Sequence, residues 1–424
     1  MEISASIERH MHRLCEEIGE RLIGTDGNRE AANYIYSVFE SSHLQIKQLY
    51  FSCPNWHCDN TSLFAGDLPI TAKANTFSPA CHIRAGYDVV YTMEQLRSAS
   101  LVDRVLVMCG ELTQQPIPPY NENAVYLPES AREIGLLLRS KKPKAVVFIN
   151  QTPNYELLML EDQRLDIPSV TLSADEGIKL LAHPGATLTL DINSYSEQGE
   201  TCHIVGRNLQ PSDQRRLLLC AHYDSRYGTV GAFDNASGVA VLLTLAELFA
   251  EQNPTVSLEF VAFSSEEYQV ADSYDDPYLS QYGLSIPPFD YTKEIAAPYK
   301  PSDLDNVIAV LNFDGVGHTL GANAITTMSC STALKDTVVK VKESFPAVTI
   351  VGGWPASNHY AFYSNGIPSL PFNSVGMNNI IHNPIDDMRY MSTSKMVEVV
   401  TLAQQIVHAL ADKTPAWSRI FDLP

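Results

Sequence analysis

Long apolar runs are missing from this chain. None approaches the roughly 18–20 consecutive residues that cross a bilayer, so no membrane-spanning segment is expected. Basic residues are scarce too, with 29 Lys and Arg against 49 Asp and Glu. The resulting net charge of −20 lacks the Lys/Arg surplus that neutralises phosphates, which argues against a nucleic-acid partner and an anionic membrane surface alike. Only eight cysteines are scattered over 424 residues, which is no disulfide framework. The first two dozen residues hold no apolar h-region with a small-residue cleavage site. Together these absences set the expectation of reduced thiols in a cytoplasmic protein, with neither nucleic acid nor membrane as partner. Repeats and low-complexity tracts are absent as well.

With 45% hydrophobic and 18% charged residues, the composition is that of a folded protein. The length suits two or three domains. Ile3, Ile7, Met11, Leu14, Ile18 and Leu22 step by three or four and predict one amphipathic helix, ended by the turn Gly24-Thr25-Asp26-Gly27. A second helix is expected through Ala31, Ala32, Ile35, Val38 and Phe39. From about residue 52 to 200, short apolar runs bounded by turn residues read as strands, among them Val105–Met108, Ala145–Ile149 and Pro168–Leu172. After about residue 203 strands and helices alternate. Leu217–Ala221, Val256–Phe263 and Val307–Phe313 are strands buried on both faces, with helices at Gly238–Ala250 and near 331–345 and 393–411. This alternation predicts an α/β domain with a largely parallel sheet, whose chemistry belongs at the carboxyl ends of its strands.

At those ends stand His222-Tyr223-Asp224-Ser225, Ser264-Ser265-Glu266-Glu267 and Asn312-Phe313-Asp314-Gly315. Asp234 precedes a helix in Gly231–Gly238, and Ile381-His382-Asn383-Pro384 follows late in the chain. Singly each has an ordinary explanation: Asp234 as an N-cap, the paired glutamates as a solvated surface, His382 as a hydrogen-bonded histidine. As a set they mean more, because a parallel sheet would converge several acids and imidazoles on one crevice. Crowded carboxylates repel one another, burial raises that cost, and divalent cations relieve it. His222, Asp234, Glu267, Asp314 and His382 would suit two tetrahedral Zn²⁺ ions if one carboxylate bridges them. Asp224, two residues beyond His222 in an extended chain, can hold the other imidazole nitrogen.

Taken in order, H-Y-D-S, D-N-A-S-G, S-S-E-E, N-F-D and H-N-P resemble the zinc-dependent aminopeptidase family with two co-catalytic metals. Glutamate carboxypeptidase II and the transferrin receptor belong to the same superfamily. The amino-terminal G-T-D-G-N-x-x-A-A-x-Y-I resembles that family's opening helix-turn-helix. Leu101–Val107 and Asp166–Val170 resemble its inserted protease-associated domain. The resemblance implies a mixed, largely parallel sheet of phosphorylase/hydrolase-like type flanked by helices, interrupted by a β-rich protease-associated insert. The expected division is 1–52 and 201–424 for the catalytic domain and 53–200 for the insert. It further implies that His222 and Asp314 bind one zinc, that Glu267 and His382 bind the other, and that Asp234 bridges them. Asp224 would orient His222, and Glu266 would be the general base that takes a proton from the attacking water and gives it to the leaving amine. A non-proline cis peptide bond is expected at Asp234-Asn235.

Some features depart from that pattern or stand outside it. Ile381 occupies the place where some members carry a Tyr beside the last His ligand, and Ser357-Asn358-His359 has Asn where the family has Asp. His359 could line the site or serve the fold. The span from Glu267 to Asp314 covers 314 − 267 = 47 positions, with Tyr268, Tyr274, Tyr278, Tyr282, Tyr291 and Tyr299, and reads either as a proline-stiffened loop or as a pocket wall or subunit contact. Arg226 could grip a substrate carboxylate or pair with a surface acid. Cys53 to Cys58 fits no common zinc spacing and reads as structural. The expected activity is that of a two-zinc exopeptidase, an aminopeptidase, with peptide as substrate and a homodimer compatible with the insert. A single-zinc transferase resembling glutaminyl cyclase and a receptor-like binding protein on the same fold are the rivals.

Overall fold

The computed structural model describes residues 2–118, 128–152, 157–163, 165–208, 214–252, 254–268, 301–354, 356–376 and 380–420. The tyrosines at 274–299 therefore lie outside the described residues. Two compact units are present: the described residues of Met1–Cys53, Gly199–Gln269 and Asp290–Pro424 form one, and those of Pro54–Gln198 the other.

The first unit is built on strands β1 (Arg216–His222), β2 (Ser257–Phe263), β3 (Val307–Phe313), β4 (Ala322–Ile325), β5 (Thr349–Ile350) and β6 (Ser369–Val375). Their order is β5-β4-β6-β3-β1-β2, followed by residues 204–208 of the strand Thr187–Asn208. β1, β2, β3 and β6 run parallel, β4 is antiparallel to β6 and parallel to β5, and the 204–208 segment is antiparallel to β2. Strands β1, β2 and β3 are buried at nearly every position, as their unbroken apolar sequences require. Leu217, Leu219 and Ala221 enter the core on one face, while Leu218 and Cys220 enter that on the other.

Helices α1 (Ile3–His12), α2 (Asp26–Ser41), α3 (Ser237–Gln252) and α4 (Thr393–Leu410) contribute to the first of these cores. Residues 232–252 are the one described segment long and apolar enough to cross a membrane, yet 94% of that apolar window is buried inside the fold. Its apolar character is that of a core helix. The opening stripe differs from expectation at its end: α1 passes into a wider turn over Arg13–Ile18 and stops at Gly19, which takes φ 79°, well before the turn at Gly24.

The second unit has parallel strands Cys81–Val90, Val105–Met108, Ala145–Ile149 and Ser169–Leu172 in that spatial order. The apolar runs read as strands are strands. Helices Met93–Ser98, Glu129–Lys141 and Ala174–Leu181 stand between or after them. The unit carries more strand than helix, and helices that the expectation of a β-rich insert did not include accompany its parallel strands. Ala174–Leu181 is amphipathic, with Gly177 and Leu180 buried, but it stands directly after an apolar strand run that dominates the local pattern.

All eight cysteines are free of disulfides. Burial pushes the Cys15, Cys53 and Cys330 thiols up to about 12, which keeps them protonated and inert.

Candidate functional site

The chain leaves β1, returns through α3 to β2 on one side, and then crosses to β3 on the other side of β1. Reversal of strand order at β1 opens a crevice at its carboxyl end. The register aligns Phe263 with His222 and Asn312 with Cys220. The residues that follow β2 and β3, Glu266-Glu267 and Asp314, are thereby brought to the end of β1.

Asp234 is carried by the turn into α3, with a cis peptide bond to Asn235 as the resemblance implied. Asn235 ties that turn to β3: its Nδ2 donates to the Phe313 carbonyl at 2.9 Å, and its Oδ1 accepts from the Gly238 and Gly315 amides at 3.0 and 3.1 Å. Position 238 must be glycine, because a Cβ there would lie 2.2 Å from the Phe313 oxygen. The two loops that bring Glu267 and His382 both use left-handed backbone, at Ser265 (φ 67°) and at His382 itself (φ 62°). Such conformations cost about 1 kcal/mol or more for residues other than glycine.

The donor atoms divide into two sets around Asp234. His222 Nε2 lies 3.2 Å from Asp234 Oδ1 and 3.4 Å from Asp314 Oδ1. His382 Nε2 lies 3.1 Å from Asp234 Oδ2 and 3.1 Å from Glu267 Oε2. Two donors bound to one zinc at about 2.0–2.1 Å with a tetrahedral angle are roughly 3.3 Å apart, so both sets have the spacing that such an ion imposes. Glu267 Oε1 is buried and has no hydrogen-bond partner, an orphan acceptor that a cation would satisfy. Among the described residues, His222, Asp234 and Glu267 form the one cluster close enough to hold an ion by a single donor each. Cys53–Cys58 forms none.

The charges explain why a cation belongs there. Burial works against protonation of His222, yet Asp314, Glu266, Asp224 and Asp234 hold its pKa well above the ordinary value. Burial and Arg226 oppose a proton on His382, but Glu267 and Asp234 raise it to about 10. Burial would lift Asp234, and the two imidazoles drive it down instead.

Asp224 does more than its spacing suggested. His222 Nδ1 is 3.2 Å from the Asp224 carbonyl and 3.6 Å from its carboxylate, so the carbonyl is the nearer partner. The carboxylate accepts the Glu266 amide at 3.2 Å and the Glu267 amide at 3.0 Å. It therefore fixes the loop bearing both glutamates. Glu266 is half-buried beside the cluster. His359 serves the fold: Asn312 Nδ2 donates to its Nδ1 at 3.2 Å, which leaves Nε2 to donate to the Trp354 carbonyl at 2.7 Å. Arg226 pairs with an acid, and that acid is Glu267, at 2.9 Å.

Two residues escaped the sequence reading. Arg21 is fully buried and donates to the carbonyls of Tyr223, Val230 and Gly231 at 2.7, 2.7 and 3.0 Å, locking the segment between His222 and Asp234. Asp386, four residues past His382 and equally buried, accepts the Phe233 and Asp234 amides at 2.7 and 3.0 Å. Burial lifts its carboxyl to about 7, against those two N–H groups. Spacing from His382 was the one local signal for Asp386, and nothing local marked Arg21. Asp386→Ala would leave two buried amides without acceptors, which is expected to lower unfolding free energy by about 2–5 kcal/mol in urea denaturation. Asp386→Asn, which keeps one acceptor oxygen, should lose about half as much. A loss below about 1 kcal/mol for the alanine variant would mean that the Asp234 turn is held by other contacts.

Residues 204–407 match the model of peptidase family M28, a range that includes all seven of these predicted site residues. The aminopeptidase YwaD of Bacillus subtilis (strain 168) is 23% identical over 423 residues, covering 95% of this chain and 83% of that protein. Among solved structures, BSAP, a zinc aminopeptidase from Bacillus subtilis, matches with a TM-score of 0.76 at 18% identity over 98% of both chains. The aminopeptidase from Aneurinibacillus sp. strain AM-1 matches with a TM-score of 0.68 at 18% identity, covering 99% of this chain and 95% of the other. These structural likenesses establish a shared fold.

Proposed function

From the match of residues 204–407 to peptidase family M28 we propose that the chain is a zinc-dependent aminopeptidase of that family that works with two ions, one on either side of Asp234. One observation carries the two-ion reading: Asp234 turns Oδ1 toward His222 and Oδ2 toward His382, as a bridging carboxylate must. His222 and Asp314 would hold one ion, and Glu267 and His382 the other. Bound zinc supplies Lewis acidity that lowers the pKa of water and polarises the scissile carbonyl.

The side chains do the rest. Glu266 takes the proton of the attacking water and returns it to the leaving amine, a general-base and general-acid role suited to a half-buried carboxylate at the rim. Its backbone is anchored through the Asp224 carboxylate, so its reach is set by the same residue that meets His222. A receptor-like protein would have no need for five intact donors. Peptide amino termini are the substrates this reading implies. Because its residues fall between two stretches of the first unit in the chain, the second unit is assigned to the protease-associated insert that the resemblance implies.

Metal analysis is expected to return two zinc ions per chain. Aminoacyl-anilides and peptides with free amino termini should be hydrolysed, chelator should abolish the activity, and zinc should restore it. Cleavage of amino-blocked peptides with no activity on free termini would overturn the aminopeptidase assignment. One ion per chain would favour the single-zinc transferase chemistry.

A further inference from the structure

We propose that Arg226 makes the two metal positions unequal, holding the one formed by Glu267 and His382 at lower affinity than the one formed by His222 and Asp314. The inference rests on the two-ion reading and adds to it an order of filling.

Arg226 Nε donates to Glu267 Oε2 at 2.9 Å. That oxygen is also the one 3.1 Å from His382 Nε2, and hence a donor atom of that position alongside the unpartnered Oε1 of the same carboxylate. The guanidinium is held in place from a second side, because its Cζ stands 5.3 Å over the ring of the buried Tyr268. Tyr268 is itself fixed, its hydroxyl accepting the Tyr227 amide at 3.0 Å. An ion approaching Oε2 therefore meets a carboxylate oxygen already engaged by a charged donor, with a like charge only a few ångströms off. The Glu267 side chain is 2% exposed and that of Arg226 22%, so solvent screens this repulsion poorly. At the other position the buried guanidinium of Arg21 is spent on backbone carbonyls and does not touch the donor oxygens. Among the described residues, Asp314 makes no ion pair with Lys or Arg and is met by His222 alone. The His222–Asp314 position should fill first, and the chain should lose the ion at His382 first.

The test is titration of the metal-free, full-length protein with Zn²⁺ against a chromophoric chelator, repeated with Co²⁺ followed by its visible spectrum. The wild type is expected to take two ions in phases at least about tenfold apart, and His382→Ala should remove the weaker phase. Arg226→Gln keeps an N–H donor and removes the charge. With that like charge gone from a poorly screened site, the weaker phase should tighten by about tenfold while the stronger one stays within about threefold. Arg226→Lys keeps the charge and should titrate like the wild type. Equal phases in the wild type, or an Arg226→Gln protein whose second phase is unchanged or weaker, would overturn the proposal and leave the two-ion reading standing. A wild type that binds one ion in all would remove both. Weakening of both phases in both variants would make Arg226 a structural residue only.

Discussion

Glu266→Gln should leave the chain folded and loaded with metal, and lower kcat on an aminoacyl-anilide by about 10²–10⁴-fold, the range over which positioned proton transfer contributes. The amide matches the carboxylate in shape and cannot accept the water's proton. Metal should stay because the donor atoms at ligand spacing belong to His222, Asp234, Asp314, Glu267 and His382. The loop should stay because Asp224 holds Glu266 through its backbone amide, which the substitution leaves in place. Metal content and kcat measured on one preparation decide the matter. Full metal with activity within tenfold of the wild type would remove Glu266 from proton transfer, and loss of an ion would make it a ligand.

Asp234→Ala should have the broadest effect of any single change. Each of its carboxylate oxygens belongs to a different donor set, so both positions lose a ligand at once. Zinc content is expected to fall from two ions to less than one per chain at micromolar free metal. Loss of the ions' charge stabilisation, several kcal/mol, corresponds to a fall in kcat of about 10³-fold or more. Replacing His382 alone should cost a single ion. Retention of both ions by the Asp234→Ala protein would refute the bridge.

Much of this could be read from one chain. Strands β1, β2 and β3 announce themselves by apolar runs that fill both faces, and the acids and imidazole just beyond them follow from where parallel sheets put their chemistry. Local pattern is harder to separate where helices alternate with short apolar strands. The helices Met93–Ser98, Glu129–Lys141 and Ala174–Leu181 lay hidden in a stretch whose apolar runs read as strands. The end of α1 was misplaced because Leu22 continues the apolar stripe after the helix itself has stopped.

The proposed donors His222, Asp234, Glu267 and Asp314 are legible in the sequence by itself because they stand at or just beyond a strand or at the start of a helix, boundaries that neighbouring residues set. His382 lies in a loop past β6 and was legible by motif alone. Tertiary structure alone decided how the donors are shared and supported. Which oxygen of Asp234 faces which histidine depends on segments far apart in the chain. So does the contact of Arg226 with Glu267 across 41 residues, and that of Asp386 with the Phe233 amide across 153. Hydrophobic periodicity reports which face of a segment is buried and carries no record of which distant group it meets there. For the same reason a buried Arg21, satisfied wholly by carbonyl oxygens, is invisible until the chain has folded around it.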